Sequence, residues 1–243
     1  MSSSVPNNIE KMPGLACIED FNEPDLWISE FEMLQPSACA DWAERVMDLR
    51  AQWTARHVSL PFFTLGMAAY LDAVPSAASL GRQAPYYAEA LRRHHNRMLR
   101  AHFGPLLELV CDALGRWAER SAHCSDETSS LPGFHIHLAH PVFTQPVASR
   151  HRDLQFQRVF PGRAIAPSRV LTFTLALSLP EGAGLNMWSG DQVHFHPYRL
   201  GHMAVHSGLV PHQAVLFPGA SEQPRIMLQG HALIDDGTLL LYW

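Results

Sequence analysis

From Leu131 to Trp243 the chain is a succession of short β-prone runs cut apart by glycine and proline: FHIHLAH, HRDLQFQRVF, RVLTFTLALSLP, GLNMWS, QVHFHPYR, HMAVHS, HQAVLF, PRIMLQGHALI and TLLLYW. About nine such runs in roughly 110 residues, with no helix-length segment between them, predict a sandwich or barrel rather than alternating strand and helix units. The clearest alternation is in RVLTFTLALSLP, where Leu171, Phe173, Leu175, Leu177 and Leu179 share one face and Val170, Thr172, Thr174, Ala176 and Ser178 the other. We expect the large apolar face against helices and the small, hydroxyl-bearing face toward a barrel interior. The same pattern also fits Thr172 and Thr174 facing solvent.

The first half of the chain reads as helical. In PSACADWAERVMDLRAQW, Ser37 is a candidate N-cap, and Cys39, Trp42, Val46, Leu49 and Trp53 recur at helical spacing. A second, short helix is expected in LGMAAYLDA. The longest periodic segment, APYYAEALRRHHNRMLRAHFGPLLELVCDALGRWAER, places Leu91, Met98, Leu99, Leu106, Leu109, Val110 and Leu114 on one face, with Gly104-Pro105 as a break or kink. The polar stretch SAHCSDETSSLPG that follows reads as a linker.

With 243 residues, 47% of them hydrophobic, the chain is long enough to bury a sizeable core. Its 18 Lys+Arg are scattered and its net charge is −5, so no nucleic-acid partner is indicated. Cys17, Cys39, Cys111 and Cys124 form no C-x-x-C pair, and MSSSVPNNIEKMPG lacks the apolar segment of a secretory signal, which together predict a reduced, cytoplasmic protein. No apolar run approaches the roughly 20 residues that span a bilayer, so no membrane partner is expected.

Fifteen histidines make chance pairs common, and three short pairs fall in the strand-rich half: His135/His137, His194/His196 and His151/Asp153. The first two have no following glutamate to complete a cupin-type metal set, and read as surface or hydrogen-bonded core histidines. His151/Asp153 adds an anionic oxygen to an imidazole; on a strand, both would project to one face, with Gln155 next along. His212 follows 59 residues after Asp153, leading from a turn into a strand, and Arg225 another 13 residues on opens an otherwise apolar strand. Two histidines and one carboxylate on one face of a metal leave open positions, as in non-haem Fe(II) oxygenases.

With HRD (His151, Asp153), VPHQ (His212) and PRIMLQGH (Arg225) in this order, the chain resembles the Fe(II)/2-oxoglutarate-dependent dioxygenase superfamily over about residues 130–243. The resemblance implies a mainly β fold with N-terminal helices: a double-stranded β-helix, or cupin-like jelly roll, over 131–243, supported by packed helices in 1–130 as one domain. It implies Fe(II) held by His151, Asp153 and His212, and 2-oxoglutarate chelated there with its far carboxylate on Arg225. Hydroxylation or another oxidation of a small molecule, such as an amino acid or a specialised metabolite, would consume O2 and release succinate and CO2.

Two departures from the family pattern carry consequences. Met227 stands where some members have a serine that helps the arginine, so a helper hydroxyl must come from Thr172, Thr174 or Tyr198. Related halogenases replace the carboxylate with a small residue, and Asp153 is present, which favours oxidation without halogenation. Gln155 is a candidate partner for Asp153 or a substrate, or a plain strand-face glutamine. Asn186 and Trp188, in EGAGLNMWSGD, are candidate substrate contacts, Trp188 being also a candidate core plug. His135 is either a pocket residue or a structural one. Arg150 and Arg152 should point away from His151. Two other classes fit the same residues: a cupin-like metalloenzyme that does not use 2-oxoglutarate, and a non-catalytic jelly-roll binding module.

Overall fold

The computed structural model describes residues 26–74, 84–217, 219 and 221–243. Cys17 and the N-terminal MSSSVPNNIEKMPG lie outside the described residues. The strands are β1 (Ile28–Glu32), β2 (Thr54–Ala55), β3 (Phe62–Leu65), β4 (Ser121–Cys124), β5 (Gly133–His137), β6 (Val170–Ser178), β7 (Gly184–Ser189), β8 (Gln192–Pro197), β9 (His202–His206), β10 (His212–Val215), β11 (Arg225–Asp235) and β12 (Thr238–Tyr242). The helices are α1 (Pro36–Asp48), α2 (Ala69–Asp72), α3 (Glu89–Ala118) and α4 (Phe156–Val159).

A nine-stranded sheet runs β1-β9-β6-β11-β5-β3-β2, with β12 also on β11 and β4 parallel to β12. A three-stranded sheet, β10-β7-β8, faces it. The strand β11 organises the large sheet: one edge pairs with β6 along nearly its whole length, while the other carries β5 on Arg225–Gln229 and β12 on His231–Asp235. This is the mainly β, jelly-roll architecture expected, with helices on the outside.

Parity then sorts the side chains. The β6 face bearing Leu171, Phe173, Leu175 and Leu177 joins one core cluster with Ile226, Leu228, Phe134 and Ile136 of the sheet and Cys39, Val46, Phe103, Leu106 and Val110 of the helices. The opposite face, with Thr172 and Thr174, lines an interior cavity. The hydroxyl-bearing face is therefore the barrel face, and Thr172 and Thr174 do not face solvent, being 1% and 4% exposed.

Several expectations change. Gln35, not Ser37, is the cap of α1, because Pro36 occupies the first turn with its φ already helical and no N–H to satisfy. Helix α3 runs without interruption through Pro105. Leu91 is 41% exposed, because the buried stripe runs through Arg92, Asn96, Leu99, Phe103, Leu106 and Val110, one position round from it. SAHCSDETSSLPG is not a free linker: its first four residues are β4, and Ser129 and Ser130 are buried. Nor are residues 1–130 purely helical, since β1, β2, β3 and β4 all join the large sheet. The run HRDLQFQRVF is not a strand, either. His151 makes a single bridge, Gln155 already has helical angles, and α4 follows because Phe156, Val159 and Phe160 turn into a cluster with Met67, Tyr86 and Tyr242.

The polar residues in the α3 stripe explain how the loop before β5 is fixed. Arg92 donates to the carbonyls of Tyr86 and Glu127. Asn96 donates to the carbonyls of Asp126 and Ser129 at 3.2 and 3.0 Å and accepts from the Leu131 N–H at 3.0 Å. These bonds hold residues 126–131 against α3, from where β5 enters the sheet. Asn96→Ala leaves a buried N–H and a buried carbonyl unpaired, and should lower unfolding free energy by roughly 2–4 kcal/mol in urea titrations.

Candidate metal centre

One backbone contact assembles the site. His151 and His212 form an antiparallel bridge with reciprocal N–H···O=C bonds of 2.9 Å each way, which ties the segment after β5 to the first residue of β10. Two residues on, the Asp153 N–H donates to the Gly208 carbonyl at 2.7 Å. Asp153 thus lies on the same side as His151, although the strand expected there ends after one bridge.

The side chains converge. One ligand atom from each of His151, Asp153 and His212 lies within 4.8 Å of the others. His151 Nε2 is 3.7 Å from Asp153 Oδ1, and His212 Nε2 is 3.5 Å from Asp153 Oδ2. The Nδ1 atoms face the other way, His151 onto the Ser149 carbonyl at 2.9 Å and His212 onto the Val210 carbonyl at 2.8 Å. An N–H donated to a carbonyl from Nδ1 fixes the tautomer that leaves the Nε2 lone pair facing the centre. Burial pushes the His212 pKa down against the pull of Asp153, so the imidazole is neutral and able to ligate. Burial would raise the Asp153 carboxyl, but His212, His231, His151 and the Thr172 hydrogen bond outweigh it and hold the group ionised. Two imidazoles that turn Nε2 toward one buried carboxylate fit a divalent cation. His151, whose side chain is 45% exposed, forms the accessible edge.

These residues open into a cavity of about 370 Å³. Arg225 lines it and is 4% exposed, with no hydrogen bond or ion pair among the described residues and its Nε buried without a partner. Its one neighbour of note is the Tyr198 ring, 5.9 Å from the guanidinium. Burial lowers its pKa to about 10, so the cation persists at neutral pH. An uncompensated buried guanidinium is strongly unfavourable, and its fork geometry suits a carboxylate. Beside it, Tyr198 and Thr174 both line the cavity. Met227 does face inward between Arg225 and Gln229, packed with Ala176, Leu185 and Tyr198.

Other expected residues are distributed differently. Thr172 is engaged elsewhere, donating to Asp153 Oδ2 at 2.5 Å. Gln155 lines the cavity and bonds His231 rather than Asp153, because the helical turn at 155 takes it out of phase with the ligands. His135 lines the cavity and meets the Tyr70 hydroxyl at 2.9 Å; burial, and then Arg225, lower its pKa to about 3. His137 is also a wall residue, stacked on Phe62 at 4.4 Å. Neither histidine joins the ligand set, and His194 and His196 lie on β8 outside the cavity. Asn186 and Trp188 do not reach the cavity: on β7 it is Leu185 and Met187 that are buried, so their neighbours point outward by alternation. Trp188 is no core plug; its ring lies 4.6 Å under the Arg150 guanidinium.

Three cavity features escaped the motif search. His231 and His206 line the wall, at 1% exposure each, and burial lowers their pKa values to about 4 and about 3. His231 shares the parity of Arg225 and Gln229 on β11, a signal present in the sequence. Gly208 is the third: a Cβ there would stand 2.3 Å from Thr172 Oγ1 and 2.9 Å from Asp153 Oδ2.

No family model matches the chain, and the search of curated proteins gives no match. Among solved structures the fold is similar to that of an N-substituted L-amino acid dioxygenase from Burkholderia ambifaria AMMD, with TM-score 0.58 and 10% identity over 89% of this chain and 86% of that one. A structure of such a dioxygenase from the same organism in complex with alpha-KG (2-oxoglutarate) aligns with TM-score 0.56 and 9% identity, again over 89% and 86%. At such identities the likeness establishes a common fold.

Two outcomes test the centre. Asp153→Ala and His151→Ala should fold but retain no stoichiometric Fe(II) by anaerobic metal analysis, while His194→Ala binds iron as wild type does. Gly208→Ala should lower the melting temperature, at a cost of about 1–3 kcal/mol from overpacking, and weaken metal binding as the new methyl displaces Asp153 or Thr172.

Proposed function

We propose that this protein is an Fe(II)/2-oxoglutarate-dependent oxygenase that hydroxylates or otherwise oxidises a small molecule, with release of succinate and CO2. The observation that carries this reading is the buried, unpartnered Arg225 in the same cavity as the convergent His151, Asp153 and His212. A metal site alone suits many hydrolases and isomerases. A metal site sharing a closed space with one uncompensated guanidinium suits a metal-chelating acid whose second carboxylate needs a planar cation.

In this reading His151, Asp153 and His212 would hold the iron. Arg225 would take the distal carboxylate of 2-oxoglutarate, with Thr174 and Tyr198 as neighbouring hydroxyls. Iron and cosubstrate together supply the O2-dependent oxidation, 2-oxoglutarate being converted to succinate and CO2. The walls contribute orientation and dryness: neutral His135, His137 and His206 add no competing charge, and Leu185, Phe62 and Phe143 exclude water.

A volume of about 370 Å³ is that of a small-molecule site. An amino acid or a specialised metabolite fits this space, and the dioxygenase of similar fold, described as acting on N-substituted L-amino acids, supports the same substrate class. Among the described residues no helix is long and apolar enough to cross a membrane. We place the protein in the cytoplasm on its cysteine usage, Cys39, Cys111 and Cys124 being free thiols.

The test is titration of 2-oxoglutarate into the anaerobic Fe(II) protein, followed by the visible metal-to-ligand absorption band, and then succinate release over candidate substrates. Absence of the band with iron bound would leave a cupin-like metalloenzyme that does not use 2-oxoglutarate. Arg225→Ala should raise the 2-oxoglutarate dissociation constant about 30-fold to several thousand-fold, the equivalent of roughly 2–5 kcal/mol, with iron stoichiometry unchanged. Arg225→Lys should recover part of that loss, because a point charge restores attraction without the two parallel bonds.

A further inference from the structure

We infer that Thr172 and His231 are positioning residues that decide how Asp153 presents itself to the metal, an inference that rests on the metal-centre reading above. Its basis is a line of hydrogen bonds with one direction. The Thr172 hydroxyl donates to Asp153 Oδ2 at 2.5 Å. A hydroxyl has one proton, so its contact with His231 Nδ1, at 3.0 Å, has the imidazole N–H as donor and Thr172 Oγ1 as acceptor. The Gln155 amide nitrogen, which can only donate, lies 3.3 Å from His231 Nδ1 and closer to Nε2, and the closer contact makes Nε2 the acceptor. The donors therefore run from Gln155 to His231 to Thr172 to Asp153. All four side chains are buried, at 6%, 1%, 1% and 4% exposure, which strengthens bonds of this kind.

The geometry at the receiving end gives the line its purpose. Oδ2 is bound by Thr172 and lies 3.5 Å from His212 Nε2, whereas Oδ1 has no hydrogen bond among the described residues and faces His151 Nε2 at 3.7 Å. A carboxylate gripped at one oxygen keeps its plane and offers the other as a single ligand atom. A carboxylate free to rotate would chelate with both oxygens and take a position that the cosubstrate requires. Three elements converge on this arrangement: β6 provides Thr172, β11 provides His231, and Gly208 before β10 keeps the space open. The register pairs Thr172 directly with His231, so the two side chains leave the sheet together.

The experiment is calorimetric titration of the metal-free full-length protein with Co(II), with the visible Co(II) spectrum recorded alongside. Thr172→Val, which keeps the shape and removes the hydroxyl, should weaken Co(II) binding about 10- to 100-fold and alter the spectrum. Thr172→Ser should restore both. His231→Phe, which removes the donor behind Thr172, should shift affinity and spectrum in the same direction as Thr172→Val, and it decides the matter if circular dichroism shows that Thr172→Val does not fold. Folded variants with wild-type Co(II) affinity and spectrum would overturn the positioning role. Failure of wild type to take up Co(II) would instead overturn the metal-centre reading, and this inference with it.

Discussion

Reciprocal backbone hydrogen bonds between His151 and His212 close the small sheet onto the segment that carries Asp153. Because they lie between main-chain atoms, they set the spacing of the two imidazoles before any side-chain interaction acts, and a metal adds to a geometry already formed. Everything around the bridge serves to keep it there. The β7 partner holds β10, the Asp153 N–H bonds to Gly208, and the Nδ1 atoms of both histidines are anchored on local carbonyls. The ligands are thus placed by strand pairing and turned by hydrogen bonds.

The large sheet has two faces with opposite requirements. Outward, Leu171, Phe173 and Leu175 bury apolar area against α1 and α3, the dominant favourable term in such a fold. Inward, the same strands present threonines, histidines, a glutamine and an arginine to a closed space, where each polar group must find a partner or remain costly. His135, His231 and His206 meet this demand by staying neutral and bonding to Tyr70, Thr172, Gln155 or a backbone carbonyl, while the buried Nδ1 of His137 has no partner among the described residues. Asp153 meets it through Thr172 and the surrounding imidazoles. The Arg225 side chain carries a charge and has no such partner among the described residues, and an unpaired buried charge separates a ligand site from a merely polar core.

The strand-rich half was legible because its turns are marked by glycine and proline and its strands alternate. β5 through β12 match the runs predicted from FHIHLAH onward, β5 and β11 extending one residue beyond theirs, and only the run at 151–160 forms no strand. That segment misled because HRDLQFQRVF alternates plausibly, while the pull of Phe156, Val159 and Phe160 into a distant cluster is a tertiary fact. The same holds for Leu91, displaced from the buried stripe by Arg92 and Asn96, whose partners include the carbonyls of Glu127, Asp126 and Ser129, 30 or more residues ahead in the chain. Asn186 and Trp188 were placed by composition alone, and the parity of β7 turned them outward.

The sequence by itself determined the fold class, the two-faced alternation of β6 and four candidate chemistry-bearing residues, His151, Asp153, His212 and Arg225, since each depends on local periodicity or on residue type at a turn. Only the tertiary structure decided that these residues share one cavity, that Thr172 serves Asp153 and leaves Thr174 and Tyr198 beside Arg225, and that Gly208 must lack a side chain. The physical reason is that a hydrogen bond such as that between Thr172 and His231, or a clash such as that avoided at Gly208, joins residues from different strands. Its existence depends on register, which the chain acquires only when the sheets close.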